Sequence, residues 1–374
     1  MMMKRIVTLL LAMALLLALC ACGLGNSSSA SKPAESEKTE SAAPAQETAT
    51  SDDPYANVEH KIIRFSSVDT TANYKDPGFS NTVSDIFMRD EIYARTQGRY
   101  KLEIYPDGQL ASADSEALAG LKSGNFEITT LSNGSMGAFT NAYAELSVPF
   151  FYAGNDELRA TLDGPIGADM KANAEADMGV KIMFVKDMGF RVVTTSGKEV
   201  KAPADFKGIK IRTQQDPIQM AAFQALGCSV QSIPFNELYT SLQQKVIDAQ
   251  ENPWTNIFYK QFYEVQSYAL ETNHIATAVV YLMNQDFWNS LSAEDQEIFE
   301  GIFRDVVAKQ RQVNEEGESY YKQACIDGGM TIYTPTAEEN AAIKDVMVEA
   351  VYGQCEELMG AERWQKLNDF VNGL

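Results

Sequence analysis

Three polar side chains stand where a small anion can be held. Arg212 closes the strand-like run Lys207-Gly-Ile-Lys-Ile-Arg-Thr213. Arg191 interrupts the apolar alternation Gly189-Phe-Arg-Val-Val-Thr194. Asn252 lies in Gln250-Glu-Asn-Pro253, directly after the strand-like Val246-Ile-Asp-Ala249. A guanidinium offers two parallel N–H donors that match a carboxylate, and an asparagine amide adds a donor and an acceptor. In an open α/β sheet, ligands bind beyond the carboxyl ends of the strands, where Arg212 and Asn252 both fall. An arginine inside an apolar run is costly unless paired. Arg191 therefore either forms an internal salt bridge or, about twenty residues before Arg212, converges with it on one ligand. Phe235 and Trp254 are aromatic walls for such a ligand, or core. The chemistry these residues imply is capture of a small organic acid in a cleft.

Positioning them requires alternating strands and helices. Lys61–Ser66 and Tyr100–Tyr105 read as strands, the second by its strict alternation. An amphipathic helix runs between them to about Thr96, and Pro106-Asp-Gly108 turns the chain. A helix over Ser115–Lys122 has Gly124 just past its end, and Phe126–Leu131 is the next strand. Val180–Val185 is a further strand. Asn236 is placed to cap a helix to about Gln244. Ser292 is placed to cap one that continues to about Ala324, and a final helical region covers about 337 to 370. This alternation indicates an α/β fold with mainly parallel sheets. The helix after Ser292 is long enough to cross two lobes. Three loops follow predicted strands and are expected to face the cleft: Ser67 onward, Gln109 onward, and Ser132-Asn133. The alternative at each is ordinary loop polarity.

Composition narrows the function. A chain of 374 residues with 45% hydrophobic residues is one large or two ordinary domains. A formal net charge of −20 argues against nucleic acid, whose affinity comes from Lys and Arg on phosphates. An anionic ligand must then be held by local positive charge against an unfavourable overall field. His60 and His274 are the only histidines, and no HExxH, CxxC, P-loop or GxSxG pattern occurs, so no metal or cofactor is expected.

The amino end reads as a tether. Lys4 and Arg5 precede an apolar run, Ile6–Leu19, too short to span a membrane comfortably and typical of a secretory signal. Leu19-Cys-Ala-Cys22 resembles a bacterial lipobox, which makes Cys22 the expected lipidated residue after removal of 1–21; an ordinary secreted protein cut nearby is the alternative. Residues 22–59 are poor in large apolar side chains and are expected to be a disordered spacer. Of the later cysteines, Cys325 and Cys355 either pair, or they and Cys228 are buried thiols.

Taken in order, Gly189-Phe-Arg191, Phe206-Lys-Gly-Ile-Lys-Ile-Arg212, Ala225-Leu-Gly227, Pro234-Phe-Asn-Glu-Leu-Tyr239, Val246-Ile-Asp-Ala-Gln-Glu-Asn-Pro253 and Thr272-Asn-His274 resemble one known family. Thr96-Gln-Gly98, Tyr105-Pro-Asp-Gly-Gln-Leu110 and Val148-Pro-Phe-Phe151 fit the same pattern. It is the solute-binding subunit of tripartite ATP-independent periplasmic (TRAP) transporters, and the resemblance extends from about residue 61 onward. It implies a two-lobed binding protein, with 60–188 and 278–318 forming the first lobe and 189–277 and 319–374 the second, that closes on an organic acid and delivers it to membrane permease subunits. Carried over, Arg212 forms the carboxylate salt bridge, Arg191 is the second cleft arginine, Asn252 bonds the same carboxylate, and Phe235 lies beneath the ligand. His274 is structural. Lys245 and Ala249 stand where many members have glycine. Ser132 and Ser135 fall near the positions that hold the rest of the ligand in sialic-acid binders, which points instead to a uronate, another sugar acid or a four-carbon dicarboxylate.

The expectation is therefore a monomeric, lipid-anchored receptor on the outer face of the cytoplasmic membrane or in the periplasm. The alternatives are a secreted organic-acid enzyme, with Arg212 orienting substrate and Glu251 or Asp248 as general base, and the same binding module coupled to a sensor.

Overall fold

The computed structural model describes residues 53–374. The signal region 1–21, the lipidation site Cys22 and the tether as far as residue 52 lie outside the described residues. The end of the expected spacer is not loose. Tyr55 packs edge-on against Tyr93 with ring centroids 5.7 Å apart, and Asp53 accepts a 2.7 Å hydrogen bond from the Tyr93 hydroxyl. Tyr55 and Asp53 thus seat this end of the spacer on Tyr93, which a composition argument over the whole spacer averages away.

In chain order the elements begin β1 (Lys61–Ser66), α1 (Thr71–Lys75), α2 (Thr82–Arg95), β2 (Tyr100–Tyr105), α3 (Asp114–Lys122), β3 (Ile128–Ser132), α4 (Asn133–Met136), α5 (Asn155–Asp163) and α6 (Pro165–Met178). They continue with β4 (Lys181–Phe190), β5 (Val192–Thr195), β6 (Lys210–Thr213), α7 (Pro217–Ala225), β7 (Ser229–Ser232), α8 (Leu238–Gln243), β8 (Ala249–Asn252), α9 (Trp254–Tyr259) and β9 (Tyr268–Leu270). The last are β10 (Ala276–Met283), α10 (Gln285–Asn289), α11 (Ala293–Asp327), β11 (Thr331–Tyr333), α12 (Ala337–Met359) and α13 (Ala361–Asn372).

The strands form two sheets, β2-β1-β3-β10-β4 and β11-β9-β5-β8-β6-β7. Each is parallel except for one reversed strand: β10 in the first and β5 in the second are antiparallel to both neighbours. The reversal follows from the crossings. β4 runs through Arg191 straight into β5, and β9 leads back through 271–275 into β10. A strand that continues out of one sheet enters the next from the opposite side. The two crossing segments are stitched by Arg191 N to Ile275 O at 3.0 Å and His274 N to Arg191 O at 3.2 Å. This ribbon joins two lobes.

α11 is the shared spine. Ser292 caps it, accepting from Asp295 N at 3.0 Å. Its 35 residues extend about 50 Å at 1.5 Å per residue. Its buried stripe runs Phe299, Ile302 with Phe303, Val306, Gln310, Val313, Gly317, Tyr321 and Cys325, in steps of three or four as one helix face requires. The first part packs on α2 and β4, and the later part on α9. Gly317 lets the spine approach the loop before α2: a Cβ there would lie 2.8 Å from the Phe79 Cβ.

Three local expectations shift. Phe235–Glu237 form a 3₁₀ turn, with Glu237 N bonded to Pro234 O at 3.1 Å, so Asn236 sits inside that turn and caps nothing. β8 begins at Ala249 because Lys245 takes a left-handed conformation (φ 57°) that breaks the chain before Val246. The terminal helical region is two helices, parted at Gly360 with φ 79°. The second of these, α13, reaches residues that the sequence groups with the first lobe, through Arg363 to Glu145 and Lys366 to Asp169. Cys228, Cys325 and Cys355 are three buried free thiols. No helix among the described residues is long and apolar enough to cross a membrane.

Candidate functional site

β6 delivers Arg212. Along Lys210-Ile-Arg-Thr213, Ile211 enters the core with no exposure, and Arg212 takes the opposite side of the strand. Its Nε donates to Ile233 O at 2.9 Å. Its Nη1 is buried and has no hydrogen-bond partner among the described residues, and among them Arg212 forms no ion pair. Burial is the main cause that pulls its pKa down to about 10; Glu251 opposes this and Arg191 adds to it. Arg212 is still protonated at neutral pH.

Arg191 is satisfied instead. It sits on the crossing ribbon, 1% exposed, and clamps Glu251 of β8: Nε bonds Oε2, and Nη2 bonds Oε1 at 2.9 Å and the Glu251 carbonyl. Nη1 donates to Thr277 at 3.2 Å. His274 completes the group, its Nε2 3.4 Å from Glu251 Oε2 and its Nδ1 2.7 Å from Thr272 Oγ1. Burial, the largest influence, lowers the His274 pKa despite Glu251, so the ring is neutral near pH 7. Burial alone would raise the Glu251 pKa, but the Arg191 charge and the His274 contact hold it below the usual carboxylate range. The tally is one anion and two cations. Glu251 neutralises Arg191, and a full positive charge is left at Arg212. Arg191 thus does form an internal salt bridge.

β8 also carries Asn252, buried at the strand end next to β5. Its Nδ2 donates to Gln250 Oε1 at 2.5 Å, and its Oδ1 accepts from Asn256 at 3.0 Å. Phe235 lies in the tight turn two residues after Ile233. Its ring stands edge-on to Phe262 at 6.1 Å, and Lys260 Nζ is 5.1 Å from its centroid. Together with Val68, Thr70 and Asp107 of the first lobe, Phe235 and Lys260 line an open cavity of about 390 Å³.

The remaining expected residues divide. Ser67 is buried and internal: its Oγ accepts from Asp69 N at 3.1 Å and from the Tyr74 hydroxyl at 2.9 Å. Tyr74 in turn bonds Asp85, which faces Lys186 and Tyr281 in a buried cluster. The chain just past Ser67 reaches the cavity. Asn133 holds β10, accepting from Ala278 N at 3.0 Å. Ser132 caps α4 and receives a hydrogen bond from Gln214, which follows β6, so it meets the second lobe across the gap. Gln109 is exposed, and the cavity is lined by Asp107 instead. Trp254 is displaced from the site. Its Nε1 donates to Glu271 at 3.2 Å, and it borders a separate cavity of about 100 Å³ with Phe190, Asn314 and Tyr321. Alternation would carry residue 254 to the side of 252, but the chain leaves the strand at Pro253 and starts α9.

The sequence reading missed Gln214 and Lys260. Gln214 lies one residue past β6, within reach of the same strand-end rule. Lys260 stands in Phe258-Tyr-Lys-Gln-Phe262, a cation among aromatics, and nothing local says which lobe it faces. Of the two carboxylates considered as a general base, Glu251 is held by Arg191, and Asp248 Oδ2 accepts from Lys210 N at 3.0 Å.

The family profile described as "Bacterial extracellular solute-binding protein, family 7" (DctP) matches residues 82–357. The chain belongs to this family. The 2,3-diketo-L-gulonate-binding periplasmic protein YiaO of Escherichia coli is 31% identical over 66% of this chain and 75% of its own length. The C4-dicarboxylate-binding periplasmic protein DctP of Vibrio cholerae is 28% identical over 80% and 88%. Among solved structures, the sugar acid binding protein DctPAm of Advenella mimigardefordensis, in complex with galactonate, superposes with a TM-score of 0.77 at 26% identity, covering 85% of this chain and 99% of that one. The two-lobed architecture and the TRAP solute-binding family are therefore those the sequence motifs indicated.

Proposed function

We propose that this family member is a receptor for a small organic acid, held between its lobes and passed to TRAP permease subunits. One observation carries the reading: Arg212 is a buried, protonated guanidinium with an unpartnered Nη1 and no carboxylate of its own. A ligand carboxylate supplies that partner. Asn252 orients beside it, Phe235 forms the apolar floor, and Arg191 with Glu251 and His274 holds the ribbon that places them. On this reading 60–188 with 278–318 and 189–277 with 319–374 are the bodies that close, and closure excludes water and strengthens the Arg212 ion pair. The named ligands of the relatives, a diketogulonate, C4-dicarboxylates and galactonate, support the acid class.

Lipid attachment at Cys22 would keep the receptor near its permease. Cys22→Ser is expected to move the full chain from the membrane fraction to the soluble fraction; a variant still in the membrane fraction refutes the anchor.

The binding test is a thermal-shift and calorimetric screen against sugar acids, uronates, C4-dicarboxylates and 2-oxo acids. One acid at 100 times its Kd adds about 2.7 kcal/mol of stability. That gain is expected to vanish in Arg212→Ala. An acid that binds Arg212→Ala as well as it binds the native protein sinks the site.

A further inference from the structure

Residues 67–81 join β1 to α2, and both ends of this segment are fastened within the first lobe. Thr82 Oγ1 donates to Asn73 O at 2.7 Å, and Lys186 Nζ of β4 donates to Asn81 O at 3.3 Å and to Ser84 Oγ at 2.9 Å. The middle of the segment goes elsewhere. Phe79 packs in the hydrophobic cluster of the second sheet, with Trp254, Ile257, Phe262, Tyr321 and Cys325. Among the described residues, every other member of that cluster lies in 189–277 or 319–374. The Phe79 ring stands 5.6 Å from that of Tyr320.

The main chain is gripped as well. Phe79 N–H donates to the Tyr259 hydroxyl at 2.8 Å, and Phe79 O accepts from the Tyr321 hydroxyl at 2.5 Å. The Tyr259 hydroxyl in turn donates to Pro77 O at 3.3 Å. The two tyrosine rings, one from α9 and one from α11, meet edge-on at 5.8 Å. Lys260, the next residue of the chain, adds a hydrogen bond to Val68 O at 2.8 Å. Gly78 admits the grip. It is left-handed at φ 49°, and a Cβ there would lie 2.8 Å from Tyr259 Oη. None of these contacts uses Arg212. Parting the lobes breaks them all: the N–H and C=O of a half-buried residue lose their partners, and an aromatic ring leaves its pocket.

We infer that residues 76–81 are an interlobe clasp: Phe79, gripped by Tyr259 and Tyr321, holds the two lobes together without ligand and slows the release of whatever the cleft binds. Its effect on retention rests on the reading that an acid lies between the lobes; the clasp itself does not. Tyr259 and Tyr321 are positioning residues. α9, which carries Tyr259, begins two residues after Asn252, and Asn252 Oδ1 accepts from Asn256 at 3.0 Å. One short helix therefore links the clasp to the proposed carboxylate site.

The experiment measures the distance between nitroxide labels on the full chain, attached through Lys122→Cys of α3 and Gln224→Cys of α7, both exposed positions on different lobes. The thiols of Cys228, Cys325 and Cys355 are buried. Ligand-free native protein is expected to give mainly the closed distance. The pair Tyr259→Phe with Tyr321→Phe removes two oxygens and no ring, and should raise the ratio of open to closed about tenfold. Gly78→Ala presses on the grip from the opposite side and should shift the ratio the same way. Variants that melt earlier but keep the native distances would show a loop fastening only, and the proposal falls. It falls equally if the native protein is already as open as the tyrosine pair variant. Galactonate is the probe for retention: its release after dilution should be about tenfold faster in the pair variant, and equal rates overturn that role. Arg212→Ala reports on the acid site separately. It should remove galactonate binding and leave the ligand-free distances native.

Discussion

Arg191 and Arg212 are about twenty residues apart in sequence, both almost wholly buried, and both influenced by Glu251. They do opposite things. Arg191 spends its donors on Glu251 and Thr277, in the ribbon that joins the lobes. Arg212 keeps one buried nitrogen without a partner at the end of β6. A matched cation holds structure together; an unmatched one is a cost that a ligand can relieve. The difference comes from the neighbouring strand. β8 sets Glu251 against the ribbon and leaves neutral Gln250 and Asn252 on either side of it.

Four substitutions test this contrast. Arg191→Met should be the most damaging, because it leaves Glu251 ionised and unpaired in the interior. The expected loss is about 3–5 kcal/mol in denaturant unfolding, largely recovered when Glu251→Leu is added. A loss below about 1 kcal/mol would show that Arg191 is not the structural partner described. Arg212→Met should have the reverse profile. It removes several kcal/mol of acid binding, yet the ligand-free protein should melt at the native temperature or above it. A sharp fall in ligand-free stability would mean that Arg212 is also structural.

Asp216 tests a buried charge just past the Arg212 strand. It caps α7, accepting from Ile218 N at 2.8 Å and Gln219 N at 3.1 Å. Burial is the main cause that raises its pKa to about 6 from 3.8. Its folded-state value is thus above its unfolded one. Its contribution to stability is full at pH below about 4 and is lost as pH rises through about 6. Asp216→Asn keeps the cap acceptor and removes the titration. It should therefore gain on the native protein between pH 4 and pH 8, by on the order of 1–3 kcal/mol. A pH-independent difference would contradict the assignment. Smallest is Lys245→Gly, which relieves the left-handed residue ahead of β8. Stability should rise by about 0.5–1 kcal/mol with ligand affinity unchanged; a fall would mean that the lysine side chain does more than tolerate the turn.

Much of the fold was legible. β1 and β2 begin and end where the sequence placed them, β2 by its alternation, and Ser292 caps the long helix. These signals are local: two-residue alternation, a capping hydroxyl, a helical stripe. The shifts came where backbone geometry overruled pattern, at the 3₁₀ turn around Asn236 and the left-handed Lys245. Near the proposed site, Arg212 and Asn252 do lie at the ends of β6 and β8, and the aromatic at 235 lines a cavity. Trp254 borders a different cavity from Phe235 because Pro253 redirects the chain, and Gln109 lies two residues past Asp107, which lines the cavity.

Residue types and their order were enough to determine the alternation of strands and helices, the family and the presence of strand-end cations. These depend on neighbours a few positions apart, or on motifs that can be read one after another. Which cation is free was decided only by the tertiary structure. Arg191 meets Glu251 from 60 residues away, Lys260 reaches Val68 from 192 residues away, and Gln214 reaches Ser132 from 82. An arginine has the same chemistry in either place. Whether it becomes a strut or a binding site depends on which carboxylate the folded chain brings to it, and no spacing in the sequence contains that information.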